Sequence, residues 1–212
     1  MYYPVMLNLQ ERNVAVVGGG QVAERKISWL LEAGAKILVI SPEATTVIKE
    51  WSKAGKICWH QKTFSGEDIV HAFLVFACTD SMEVNRKVLS ACRKDQLLCM
   101  SGEAKAGDFI VPSVLNRGRL QLAVSTSGAS PSLSKKIIRE LGTMYEEAYG
   151  AYVEFLYEAR RKILEIERDS DSRKTKLSIL LDERFYSLTK DGMMRERDLL
   201  FERLLNGRSM ND

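Results

Sequence analysis

Histidine is scarce, with only His60 and His71 in 212 residues, and the four cysteines (Cys58, Cys78, Cys92 and Cys99) stand 20, 14 and 7 positions apart with no Cys-x-x-Cys among them. Zinc sites and disulfide frameworks need closer or paired spacing, so the expectation is no metal site and four reduced thiols packed in strands and helices. Long apolar runs are missing as well. The longest stretch without a charge, Leu120 to Ser134, is short and rich in Ser, Thr and Gly, too short and too polar to cross a bilayer as a helix. The N-terminus, Met-Tyr-Tyr-Pro, lacks a basic segment followed by an apolar one. No secretory signal is expected, and a soluble, cytoplasmic chain with no membrane partner is.

Net charge is small too. Lys and Arg total 31 against 28 Asp and Glu, a formal +3. Divided after Ser132, the balance is uneven: the part up to Ser132 holds 15 basic and 12 acidic side chains, and the remainder holds 16 of each. The whole positive surplus belongs to the first part, while the second reads as a neutral, densely charged appendage with solvated faces. With 45% apolar residues the chain is no disordered tail, and its length suits one full domain plus an appendage. Nothing before Val14 leaves room for a DNA-reading helix-turn-helix, so no nucleic-acid partner is expected.

The first half of the chain alternates. Val14–Val17 is a short β-branched run that stops at Gly18-Gly19-Gly20, and the apolar positions Val22, Ala23, Ile27, Leu30, Leu31 and Ala33 then follow at helical spacing up to Gly34. Lys36–Ile40 reads as a second buried strand, residues 44–54 as a weaker helix ended by Gly55, residues 57–60 and 73–78 as further strands, residues 82–94 as a helix and 97–100 as a fifth strand. Strands apolar on both faces and joined by helices imply an α/β domain with a parallel sheet covered on each side, of the Rossmann type.

The glycines sit where such a sheet would use them. Gly18-x-Gly20-x-x-Ala23 matches the dinucleotide fingerprint directly after a strand and at a helix start. In it the first glycine permits the tight turn, the second lets backbone approach a pyrophosphate, and the small third residue keeps helix close to strand. Gly18, Gly19, Gly20, Gln21 and Val22 are therefore the candidate cofactor-binding turn. The acidic residue usual about 20 positions on is replaced by Ser41-Pro42-Glu43. Ser41 or Glu43 is left to meet a ribose, and no Arg stands there for a 2′-phosphate, which favours NAD over NADP. Thr79-Asp80 ends the fourth strand, where ligands of open α/β sheets bind; the same pair also reads as a helix cap.

Further on, Phe109–Leu115 and Leu120–Ser125 flank the Asn116-Arg-Gly-Arg119 turn as a hairpin. An isolated hairpin is marginal in water, and a second copy across a two-fold axis would supply the surface it needs. Ser130-Pro131 opens a helix whose apolar positions continue at helical spacing from Leu133 to Ile163, as one helix or as two that bend near Gly142 or Gly150. Two shorter helices, at about residues 177–189 and 194–205, complete an all-α end around the Lys190-Asp-Gly192 turn. One apolar stripe with charged outer faces favours packing within its own domain over a coiled coil.

Taken together, Val16-Val-Gly-Gly-Gly-Gln-Val-Ala-Glu-Arg-Lys26, Thr79-Asp80 with Val84-Asn85, Phe109-Ile-Val-Pro-Ser113, and Ala123-Val-Ser-Thr-Ser-Gly128 with Ser130-Pro131 resemble the precorrin-2 dehydrogenase family of sirohaem synthases over roughly residues 1–145. The resemblance implies an NAD-binding Rossmann domain (1–112), a dimerisation hairpin and helix region (113–146) whose segments cross between subunits, and a small helical C-terminal domain (147–212). It also implies oxidation of precorrin-2 to sirohydrochlorin with NAD, in sirohaem or cobalamin biosynthesis, by a homodimer. The tetrapyrrole carries eight carboxylates, which call for cations. Lys105, Arg117, Arg119, Lys135, Lys136 and Arg139 are the basic residues near the dimerisation segments, with Lys105 and Arg117, beside Ser125 and Thr126, the candidate substrate contacts. Those hydroxyls equally suit capping of the next helix.

One residue departs from the family pattern. Members that also insert iron carry an Asp seven positions before the Phe of Phe-Ile-x-Pro, and here that position is Gly102. Ser101 and Glu103 are the nearest substitutes as catalytic groups, and Asp108 is a more distant one. Metal insertion requires a positioned base for two pyrrole protons, so the departure weakens chelation more than dehydrogenation. The expectation is an NAD-dependent dehydrogenase with weak or absent ferrochelatase activity. The alternatives are a bifunctional dehydrogenase and ferrochelatase, or a non-catalytic NAD-sensing module.

Overall fold

The structure is a computed structural model that describes residues 2–102 and 106–207. The chain divides into two compact units, one up to Val111 and one from Pro112.

In the first unit the order is β1 (Asn13–Val17), α1 (Gln21–Glu32), β2 (Lys36–Ile40), α2 (Thr46–Lys53), β3 (Cys58–His60), a 3-10 turn (Gly66–Ile69), β4 (Leu74–Ala77), α3 (Met82–Ala91) and β5 (Leu97–Met100). The five strands form one sheet in the order β3-β2-β1-β4-β5, all parallel. Alternate residues build two cores. Val14, Val16, Ile37, Val39, Leu74 and Phe76 pack with Ala23, Ile27 and Leu30 of α1 and Ile48 of α2. Ala15, Val17, Ile40, Val75, Ala77 and Leu98 pack on the other face with Val88 of α3 and Ile69 of the turn. Burial on both faces is why these strands read as unbroken apolar runs, each large side chain contributing roughly 2 kcal/mol. The expected Rossmann-type parallel sheet is therefore the fold observed, and the strand order reverses between β1 and β4, where such sheets hold ligands.

Residues 106–111 close the β5 edge. The Asp108 carboxylate accepts the Leu98 N–H at 2.9 Å, and Asp108 N–H returns a bond to Leu98 O at 2.8 Å. Asp108 thus satisfies the backbone of an edge strand instead of facing a ligand. Phe109 packs edge-on against Phe76 with ring centroids 5.5 Å apart. That contact, together with Pro112, which has no N–H to pair, explains why the hairpin strand begins at Ser113 and not at Phe109.

The second unit opens on an antiparallel hairpin, β6 (Ser113–Arg117) and β7 (Leu120–Val124), and continues with α4 (Pro131–Met144), α5 (Ala148–Ile166), α6 (Ser170–Ile179), α7 (Glu183–Lys190) and α8 (Met194–Leu205). The long helical pattern breaks at residues 145–147 and at neither glycine. Both glycines lie inside helices: a methyl group on Gly150 would sit 3.5 Å from the Arg117 carbonyl, and one on Gly142 3.8 Å from Leu115. Both are ordinary contact distances, so the helices meet the hairpin there without needing a glycine. The expected helix at 177–189 is likewise two, because the Asp182 carboxylate caps α7 by accepting Arg184 N–H at 3.0 Å. The apolar stripe of α5, Tyr152, Phe155, Ala159 and Ile163, is filled within the unit by Leu180, Phe185, Leu200, Phe201 and Leu204.

One ion pair ties the end of α5 to the last turn of α6, and its lysine also reaches the end of α8. Lys176 Nζ lies 2.8 Å from Glu167 Oε2 and 3.0 Å from Leu205 O, and Ser172 Oγ donates to the same carboxylate at 2.8 Å. The hydrogen bond from Lys176, aided by that from Ser172, lowers the Glu167 carboxyl from 4.5 to about 2. Because the folded value is the lower one, the stabilisation is fully present above pH 4.5 and is lost as pH falls toward 2. Acid melts followed by circular dichroism should show stability falling across that window, with a modest share due to Glu167. Glu167→Gln should make the fall shallower; an unchanged slope would remove Glu167 as a contributor.

Candidate functional site

The glycine turn follows β1, the central strand. Gly18 has φ +117°, and a methyl group there would lie 2.5 Å from Cys78 O at the end of β4. Only glycine fits, on both backbone and contact grounds. At Gly19 a methyl would lie 2.2 Å from Glu43 O and 2.5 Å from Ser41 Oγ, while Gly19 O accepts Thr45 N–H at 2.9 Å. Gly20 differs. It is the N-cap of α1 with φ −83° and no side-chain cap, and its missing methyl would meet nothing within 4 Å. Unfilled space beside uncapped amide donors suits a pyrophosphate, which the helix start also attracts electrostatically. Gln21 is exposed, Val22 is 40% exposed, and Ala23 is fully buried against the sheet.

Ser41 is only 4% exposed. Its hydroxyl accepts Trp59 Nε1–H at 3.1 Å and lies beneath Gly19, so it supports the turn from below. Pro42 and Glu43 face solvent beside it. Sequence reasoning missed Trp59, whose partner lies on another strand and leaves no local signal.

A cavity of about 410 Å³ opens at the carboxyl ends of β4 and β5, bordered by Thr79, Asp80, Met82, Asn85, Met100, Ser101 and Gly102. Thr79 is clamped by Asn85, a residue 7% exposed. The Asn85 carboxamide oxygen accepts Thr79 Oγ1–H at 2.8 Å and Thr79 N–H at 3.3 Å, and its nitrogen donates to Thr79 O at 2.9 Å. Ser81 caps α3 by accepting Val84 N–H at 3.3 Å. Asn85 is visible in the sequence as a polar residue on the buried face of α3, although its partner is not. Ser101 Oγ is 3.3 Å from Cys78 Sγ. Burial pushes the Cys78 thiol up, against the Ser101 hydrogen bond and the charge of Lys26 that pull it down. The contact therefore pairs the Ser101 hydroxyl with a neutral thiol. Gly102 has φ +93° and open space where a side chain would begin. Glu103 and Lys105 lie outside the described residues.

Of the candidate substrate contacts, Arg117, Ser125 and Thr126 make hydrogen bonds within the second unit. Arg117, its side chain 17% exposed, donates to Tyr145 O at 3.1 Å and lies 3.0 Å from a Glu147 oxygen, bracing the break between α4 and α5. Arg119 pairs with Glu154 at 2.6 Å and lies over the Tyr157 ring. Lys136 reaches Glu140 at 3.7 Å, and Lys135 and Arg139 are exposed. Thr126 Oγ1 accepts Ser130 N–H at 3.0 Å and donates to Ser130 O at 3.1 Å, while Ser125 Oγ accepts Ser127 N–H at 3.0 Å. Thr126 thus supports the start of α4, and Ser125 the turn before it.

A glycine turn at the reversal point of a parallel sheet, with space for an anion at a helix start, defines a Rossmann-type nucleotide-binding protein. Family models agree and go further: residues 5–113 match a putative NAD(P)-binding family, 117–144 the sirohaem biosynthesis protein central family, and 149–190 the SirC C-terminal domain. The chain belongs to the precorrin-2 dehydrogenase family. It is 35% identical to the precorrin-2 dehydrogenase of Priestia megaterium, over 93% of this chain and 96% of that one, and 31% identical to that of Bacillus subtilis strain 168, over 75% and 98%. A solved structure, SirC, precorrin-2 dehydrogenase, superimposes with a TM-score of 0.80 at 34% identity, over 93% of this chain and 99% of the other. The siroheme synthase of Nitrosococcus oceani is 37% identical over 76% of this chain, and the match spans 35% of that longer protein.

Proposed function

We propose that this protein oxidises precorrin-2 to sirohydrochlorin with NAD and inserts metal weakly or not at all. The observation that carries the reading is the Gly18–Gly20 turn, where two glycines are fixed by contact and the third borders open space, in a chain that aligns almost end to end with precorrin-2 dehydrogenases. NAD supplies the acceptor for a hydride. The chain's own residues hold it: Gly18 to Val22 receive the pyrophosphate, Glu43 beside Ser41 and Pro42 meets the ribose, and Thr79 and Asp80 border the far side. The absence of a basic group at residues 41–43 favours NAD over NADP. The substrate loses one hydride and one proton, and the proton needs an acceptor near the ends of β4 and β5.

The protein acts as a cytoplasmic homodimer, with residues 113–146 as the dimerisation region between the nucleotide-binding domain (1–112) and the helical domain (147–212). Its ligands are NAD and the tetrapyrrole, with no nucleic acid and no membrane surface. No helix among the described residues is long and apolar enough to cross a membrane. Lys105, with the exposed Lys135 and Arg139, supplies positive charge for the substrate carboxylates. Titration with sirohydrochlorin tests the reading: the purified protein should acquire the pigment's visible band, and NAD should bind at least about tenfold more tightly than NADP. A protein that binds NAD and takes up no tetrapyrrole would be a nucleotide sensor instead.

A further inference from the structure

The reaction releases a proton, and Gly102, just beyond β5, has no side chain and faces open space. Ser101 beside it is paired with a neutral thiol. The cavity at the ends of β4 and β5 is nevertheless bordered by one ionisable side chain among the described residues, that of Asp80. Its carboxylate is exposed, and among the described residues it has no ion-pair partner. Its backbone is fixed from both sides. Thr79, the residue before it, donates its N–H and hydroxyl to the buried Asn85 carboxamide oxygen and accepts the Asn85 N–H at its carbonyl, and Ser81, the residue after it, caps α3. A carboxylate on so constrained a turn, at the border of this cavity, is placed to take the proton.

We propose that Asp80 is the proton acceptor of the dehydrogenation and that Asn85 is its positioning residue. The proposal rests on the dehydrogenase reading. As the substrate gives two electrons and one hydrogen to NAD as hydride, the Asp80 carboxylate takes the remaining proton and passes it to water, so NADH and one proton leave per sirohydrochlorin formed. A single carboxylate suffices for that one proton.

The test is Asp80→Asn in the full-length protein, read by turnover at saturating NAD, by the KM for precorrin-2 and by calorimetric NAD affinity. Asp80→Asn should lower kcat by about 100-fold, far beyond any loss of NAD affinity. Asp80→Glu should restore part of the rate. Asn85→Ala should lower kcat by about tenfold and leave the KM for precorrin-2 within about threefold of wild type, since the carboxylate is still present but less well held. An Asp80→Asn variant that turns over at the wild-type rate would overturn the proposal, as would a loss of kcat at saturating NAD no larger than the loss of NAD affinity, which would leave Asp80 only its place beside the cofactor. A wild-type protein that produces no NADH would overturn the dehydrogenase reading itself, and the two failures are separable.

Discussion

Gly20→Ala should leave the thermal unfolding of the protein unchanged and weaken NAD binding by about 10- to 100-fold, the equivalent of losing one or two charge-assisted hydrogen bonds. Gly20 has a φ that any residue adopts, and its added methyl meets no protein atom within 4 Å. The only thing for that methyl to displace is a ligand. Gly18→Ala should do the reverse, costing on the order of 3 kcal/mol of stability, because the new methyl falls 2.5 Å from a backbone oxygen at φ +117°. Melting curves and isothermal titration of both variants check the pair. If Gly20→Ala binds NAD as the wild type does, the turn is structural and the cofactor site lies elsewhere.

The second large effect concerns metal. Given sirohydrochlorin and Fe²⁺ or Co²⁺, the protein should yield little metallated product beyond the spontaneous reaction. Two pyrrole protons must leave as the metal enters, and the described residues that border the cavity offer one carboxylate, Asp80. Gly102→Asp would add a second. The space for it is open, and the left-handed backbone costs an Asp roughly 1 kcal/mol. The variant should therefore fold and raise insertion by about tenfold or more. Rapid insertion by the unaltered protein would contradict the account. Glu103→Ala, measured beside it, shows whether Glu103 shares the work; an unchanged rate removes it.

Much of the nucleotide-binding unit was legible in the sequence because its signals are local. Val14–Val17, Lys36–Ile40 and Leu97–Met100 are apolar on both faces, and the glycine turn joins a strand directly to a helix. What escaped notice depends on partners distant in the chain. Trp59 anchors Ser41 across two strands, and the hairpin begins late because Phe109 is drawn to Phe76. The α4–α5 break falls where Arg117 braces Tyr145 and Glu147, a contact that periodicity cannot report. The positive surplus of the part up to Ser132 is also partly accounted for within the fold: Arg117 and Arg119 answer Glu147 and Glu154 of the neutral helical part.

The central claim is tested most directly by the stoichiometry of one anaerobic reaction. Precorrin-2 and NAD are mixed with the protein, and NADH and sirohydrochlorin are followed together by their separate absorption bands. The account predicts that the two appear in step, one NADH for each sirohydrochlorin, and that the rate collapses in Gly20→Ala. Sirohydrochlorin formed without NADH, or no NADH from a protein that binds both ligands, would contradict it.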